Sequence, residues 1–200
     1  MSTHSLPIDT DNSDDELLEA EQATSMIDSS LRHIALLAAW IATTGSLFMS
    51  EVLGWLPCVL CWYQRILMYP LAIILAVGIL RRDQKLHLYV LPLSIAGIFT
   101  SLYHYLLIKT TWFPPPPCLD GVPCTTDYLN WLGFINVPFL ALTAFIIITF
   151  SMIAFALFQP NVEPRPNANG AIPRFDTANI AVIMIIVAVI LSFMVASTFV

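Results

Sequence analysis

Five apolar blocks, each about long enough to cross a lipid bilayer, constrain this chain more than any other feature. A spanning helix needs about 20 apolar residues at 1.5 Å each. The blocks run over about 34–56, 62–80, 86–108, 131–158 and 178–200. The second is short and contains Pro70, the third has Pro92 near its start, and the fourth is long enough to begin in the interface and tilt. In lipid every backbone N–H and C=O must be satisfied within its own segment, so helices are the natural reading. Only 11% of the 200 residues are charged and 58% are hydrophobic, against about 25% and 45–50% in soluble domains. The expectation is an all-α membrane protein without a soluble domain or internal repeat.

The net charge of −6 belongs to one end. Residues 1–30 hold eight acids and no Lys or Arg, whereas the remainder holds six acids and eight bases. This composition predicts a disordered acidic tail over 1–30. It lacks the basic start of a cleaved signal peptide, so the first block reads as a retained anchor. No basic surface is concentrated enough to suggest nucleic-acid binding. Orientation follows the bases of the short connections. The turn Arg81-Arg82-Asp83-Gln84-Lys85 marks a cytoplasmic side, and alternation puts Arg32, Arg165 and Arg174 there too. Only Arg65 and Lys109 fall at the outer ends.

That orientation sends all four cysteines outward. Cys58 and Cys61 lie between the first and second blocks, Cys118 and Cys124 between the third and fourth. Disulfides persist on the extracytoplasmic side of bacteria. Eight of the eleven Trp and Tyr residues, from Trp55 to Trp131, fall at the same boundary, as an interfacial belt does. Four cysteines allow three pairings, and spacing favours 58–61 with 118–124. On the chain-entropy account, loops of four and seven residues give about 1.9 and 2.4 kcal/mol, against about 4.7 for a hundred. Such bridges are poor staples, which suits disulfides that open and close.

Cys58-Val59-Leu60-Cys61 stands at the start of a helix, where unpaired N–H groups and the positive dipole end favour thiolate. Arg65, one turn after Cys61, keeps a fixed positive charge on the same face. It is a reasonable donor to a quinone oxygen, or else a snorkelling anchor. The run Pro114-Pro115-Pro116-Pro117 pushes Cys118 away from the membrane as a stiff polyproline stretch, and Gly121 and Pro123 turn the chain back towards Cys124. Such a loop can present a sulfur to a soluble partner. His104, near the outer end of the third block, is a polar group at membrane depth and hence a functional suspect. It reads as a quinone donor, a proton relay or a satisfied core histidine. Glu51 reads as interfacial and His87 as incidental.

CVLCWYQR at 58–65, YHYLLIK at 103–109, the outer cysteine pair and WLGFINVPFLAL at 131–142 together resemble the DsbB-type disulfide-bond formation proteins. The six-residue step from Cys118 to Cys124 is similar to the BdbC branch. The resemblance covers about residues 31–158. It implies a four-helix transmembrane bundle, a bound quinone (ubiquinone or menaquinone), and a soluble thioredoxin-like thiol oxidase of the DsbA or BdbD type as partner. It makes Cys58 and Cys61 the quinone-coupled pair, with Cys61 nearest the quinone, Arg65 the quinone-side arginine and His104 a further quinone-side residue. Cys118 and Cys124 become the pair that exchanges with the partner, Cys118 forming the mixed disulfide. The expected organisation is a tail over 1–30, a redox domain over 31–158, a cytoplasmic linker over 159–177 and a fifth helix over 178–200. The tail and the fifth helix lie outside the resemblance. The expected activity is thiol:quinone oxidoreduction in the bacterial cytoplasmic membrane, without a metal. The alternatives are a vitamin K epoxide reductase-like enzyme and a non-enzymatic membrane protein with a four-cysteine zinc site.

Overall fold

A computed structural model describes residues 10–111 and 122–158 and, near the C-terminus, residues 180, 183, 184, 187, 188 and 191. Among the described residues four complete helices form: α1 (Thr10–Glu51), α2 (Val59–Leu80), α3 (Leu86–Lys109) and α4 (Val137–Phe158). Each contains a stretch long and apolar enough to cross a membrane; in α1 it is Ser29–Glu51. Each helix packs on its two neighbours around the ring α1–α2–α3–α4, and the diagonal pairs barely touch. This is the all-α, multi-pass membrane bundle that the apolar blocks require. Most of the fifth block, and all of the linker over 159–177, lie outside the described residues; the six described there, between Ile180 and Leu191, are helical and exposed.

The helix ends differ from the expectation in four places, each for a local reason. Residues 10–30, expected to be disordered, are helical and extend α1 backwards. Their run Asp14-Asp15-Glu16-Leu17-Leu18-Glu19-Ala20 combines strong helix formers with acids near the positive end of the dipole. At its other end α1 stops at Glu51 rather than running to residue 56. Gly54 adopts φ +68, a left-handed turn that a helix cannot continue through, and Pro57 follows. Helix α2 starts at Val59 because Cys58, extended at φ −75 and ψ 173, caps it. Helix α4 starts at Val137, not Trp131. Residues 131–135 close a small turn through a two-way Trp131–Ile135 backbone pair, with Leu132 and Gly133 left-handed, and Asn136 Oδ1 accepts from Phe139 N–H as the cap.

The core joins Ala35, Leu36 and Ala39 of α1 to Leu71 and Leu75 of α2, Val90 of α3 and Phe145, Ile148 and Met152 of α4. Gly97 of α3 lets the Phe145 ring approach its backbone directly. A polar contact crosses the same α3–α4 seam, where the Thr149 hydroxyl donates to Ser94 Oγ at 2.9 Å. Apolar residues such as Ile73, Phe99, Phe150 and Leu157 face outward, so the helices are apolar on both faces, as lipid-embedded helices are. The 52–58 connection and the described part of the next outer one, residues 122–136, meet at one end of the bundle, where Trp55 packs on Tyr128. Arg32, stacked over Phe155, and the 81–85 turn stand at the other.

Candidate active site

Cys58 and Cys61 stand at the start of α2 with their sulfurs 3.2 Å apart, both as free thiols. The Cys61 N–H donates to Cys58 Sγ at 3.4 Å, so the capping sulfur does receive a helix-terminal amide. Cys58 in turn donates its S–H to Cys61 Sγ. That bond, then burial, pushes the Cys58 thiol up to about 12, against a smaller opposing pull from His104. The helix terminus alone predicted thiolate at both sulfurs. In the pair as folded the proton sits on Cys58 and Cys61 is the acceptor.

Cys124 is buried in one cluster with Cys58, Leu60 and Leu107, with Cys61 and Tyr103 packed against it. Burial raises its thiol above the ordinary range; the N–H groups of Leu60 and Val59, at the first turn of α2, oppose this. The α2 terminus therefore serves the loop sulfur as well as its own. Cys118 and the four prolines before it lie outside the described residues. The visible part of the loop is tied down on two sides. Trp55 stacks on Tyr128 with centroids 5.4 Å apart, and Lys109 reaches Gly133 O at 2.9 Å and Asp127 at 3.7 Å.

His104 is 2% exposed and ties three elements together. Its Nε2 lies 3.1 Å from the Cys124 carbonyl oxygen and 3.7 Å from Cys58 Sγ, and its Nδ1 lies 3.1 Å from Gln64 Nε2. The sequence left it open as a quinone donor, a proton relay or a satisfied core histidine; the geometry adds a contact with the Cys58 sulfur. Arg65 turns towards α1. Its Nε donates to Ser46 Oγ and its Nη2 to Ser46 O, both at 2.9 Å, and the guanidinium stands 5.4 Å from the Trp62 ring centroid. Glu51 is exposed at the end of α1, and His87 packs against Phe155 at the far end of the bundle. Two residues near the sulfurs had no role assigned from the sequence. Gln64 carried a usable signal, a polar residue three positions after Cys61 in an apolar block. Ser46 carried none among the other hydroxyl residues of its helix.

A cavity of about 360 Å³ opens between α1, α2 and α4 beside these groups. Cys58, Cys61, Gln64, Arg65 and His104 line its polar end, and Tyr69, one turn beyond Arg65 on α2, lines it with a buried hydroxyl that has no hydrogen-bond partner among the described residues. The rest of the wall is mainly apolar. A flat ring with polar oxygens fits such a space, since small-molecule sites are concave, mostly apolar and set with a few convergent donors. Three donor atoms, from Cys58, Cys61 and His104, also lie within 4.8 Å of one another, close enough to surround a metal ion.

The family model described as Disulfide bond formation protein DsbB matches residues 28–195. That match is wider than the stretch that carried the resemblance and takes in most of the fifth apolar block. Among curated proteins, Disulfide bond formation protein C of Bacillus subtilis (strain 168) is 50% identical over 126 residues, covering 60% of this chain and 91% of its own. The Probable disulfide formation protein C of Halalkalibacterium halodurans is 52% identical over 113 residues, covering 56% and 82%. That of Bacillus cereus (strain ATCC 14579) is 48% identical over 119 residues, covering 57% and 86%. No solved structure shows a significant match. A bundle of membrane-crossing helices with a cysteine pair at one end, and a family match over most of the chain, lead to one conclusion: the chain belongs to the DsbB family of disulfide bond formation proteins.

Proposed function

We propose that this protein is a thiol:quinone oxidoreductase of the bacterial cytoplasmic membrane. It reoxidises a thioredoxin-like thiol oxidase on the extracytoplasmic side, and so supports disulfide formation in exported proteins. The supporting observation is a chain of contacts: Cys124 packs on Cys58, Cys58 lies 3.2 Å from Cys61, and Cys61 lines the cavity with Arg65.

The reduced partner attacks the Cys118–Cys124 bridge through a mixed disulfide at Cys118. The Cys124 thiolate so released attacks Cys58 of the Cys58–Cys61 bridge, and Cys61 leaves. Amide donors of Val59 and Leu60 at the Cys124 sulfur, and of Cys61 at the Cys58 sulfur, favour the charges that pass between them. The partner's second thiol then attacks its own sulfur in the mixed disulfide, so the partner leaves oxidised and Cys118 leaves as thiolate; Cys118 attacks Cys124 of the Cys58–Cys124 bond, restoring that bridge and freeing Cys58. In the reduced pair Cys58 donates its S–H to Cys61, and both cysteines line the cavity. When bound, a quinone supplies the acceptor for the two electrons and two protons lost as Cys58–Cys61 reoxidises. Arg65, its plane fixed by Ser46, holds positive charge where an oxygen would gain negative charge. Residues 31–158 carry this redox site.

The test is quinone reduction by purified protein given a reduced thioredoxin-like oxidase. Cys61→Ser should still exchange with the oxidase through Cys118 and Cys124, yet reduce no quinone. Normal quinone reduction by that variant would refute the scheme.

The three clustered donors favour a second reading, a zinc site. Tetrahedral zinc, with sulfurs at about 2.3 Å, holds them about 3.8 Å apart. The pair here is closer, at 3.2 Å, and the Cys124 carbonyl already occupies the edge of His104 Nε2. The thiol-exchange reading uses both observations; the zinc reading must undo both.

A further inference from the structure

We infer that Gln64 is a positioning residue, which holds His104 in the one neutral tautomer able to donate to both the Cys124 carbonyl and the Cys58 sulfur. The inference rests on the proposed thiol exchange and assigns a part in it to a residue that touches neither sulfur.

The Cys124 carbonyl oxygen, 3.1 Å from His104 Nε2, can only accept, so Nε2 carries the ring proton. A neutral imidazole then presents a lone pair at Nδ1, which needs a donor because His104 is 2% exposed. Gln64, itself 6% exposed, supplies that donor from its amide nitrogen at 3.1 Å. Reversing the amide would turn its oxygen to Nδ1 and demand a second ring proton. The two contacts therefore fix each other. Gln64 and His104 come from α2 and α3, so the bond also fixes where the ring stands between helices that frame the cysteines.

The consequence falls on Cys58, 3.7 Å from the same Nε2. In the last exchange step the Cys118–Cys124 bond forms, the Cys58–Cys124 bond breaks, and Cys58 leaves with the electron pair. An Nε2–H aimed at that sulfur stabilises it as it leaves. In the other tautomer a lone pair would face the departing thiolate and the Cys124 carbonyl together, and both contacts would turn repulsive. Gln64 thus acts on the leaving sulfur without touching it. Among the described residues, the titratable groups of this cluster and its contacts, besides Cys58, are Cys61, Cys124, His104 and Tyr103, which packs against it.

The test uses full-length protein with ¹⁵N-labelled histidine, with His104 assigned by the signal lost in His104→Asn. The wild type should show a protonated Nε2 and a hydrogen-bonded, unprotonated Nδ1. Gln64→Glu offers only acceptors, so Nδ1 should acquire a proton and its resonance should move to the doubly protonated position. Gln64→Leu should lose the Nδ1 hydrogen-bond signature and populate both tautomers. In acid-quench disulfide mapping, Gln64→Leu should slow the release of Cys58 about tenfold, the scale of one hydrogen bond to a charged group, and leave the first exchange with the partner unchanged. Wild-type His104 signals in Gln64→Glu would overturn the inference, even if Gln64→Leu does not fold. The nitrogen resonances need neither quinone nor partner. They therefore fail or succeed separately from the proposed function.

Discussion

Two cysteines three residues apart meet different surroundings, and the difference lies in one proton. Cys58 caps α2, receives an amide N–H and still holds its own proton, because Cys61 accepts it and burial penalises the charge. The sign is that of a raised pKa: below about 12 the Cys58 thiolate population falls tenfold for each pH unit. Alkylation of Cys58 in the reduced protein, followed by mass spectrometry, should therefore keep rising tenfold per unit beyond pH 10. A plateau near pH 9 would contradict this. Cys61→Ala removes the largest cause and should bring the plateau down. At Arg65 the geometry is two-pronged, with Nε and Nη2 both on Ser46. Lysine keeps the charge but cannot reproduce that fork. Arg65→Lys should raise the KM for quinone about tenfold, the scale of one charge-assisted hydrogen bond, with the partner exchange rate unchanged.

At the scale of elements, two substitutions test how helices are held and started. A Cβ at Gly97 would stand inside the van der Waals shell of the fully buried Phe145 ring. Gly97→Ala should cost about 1–3 kcal/mol, the range for an overpacked core, read as a lower thermal midpoint in detergent. Asn136→Ala removes the α4 cap and should cost about 1 kcal/mol. The four described helices were legible as apolar blocks because lipid leaves the backbone no alternative. Their ends were less so. A hydropathy block cannot distinguish helix from an apolar turn, so Val52 to Leu56 and Trp131 to Ile135 were absorbed into spans that Gly54 and the left-handed Leu132–Gly133 turn exclude. The helical stretch over 10–30 was hidden by its charge, which composition reads as solvation whether or not the backbone is helical. In the site, spacing alone brought Cys58, Cys61 and Arg65 onto one segment. The joining of Cys124, His104 and Gln64 depends on how α3 and the loop dock on α2, and no local pattern carries that.

Across the whole molecule, position along the membrane normal organises the parts. Cys58, Cys61 and Cys124 share one end of the bundle and the basic 81–85 turn marks the other. The proposed function needs the cysteine end to face outward, the orientation that the charge rule expects. A membrane-impermeant thiol reagent applied to intact, reduced cells should label Cys118, the sulfur proposed to meet the partner, whereas a cysteine introduced at Gln84 should react only after permeabilisation. The reverse pattern would invert the orientation. The central claim is that two electrons pass from partner thiols through both cysteine pairs to a lipid-soluble acceptor in the bundle. A single-turnover experiment with purified, quinone-loaded protein and excess reduced thioredoxin-like oxidase tests it most directly, by following quinone absorbance and partner thiols together. The account predicts one quinone reduced for every two partner thiols lost; partner oxidation with the quinone left oxidised would contradict it.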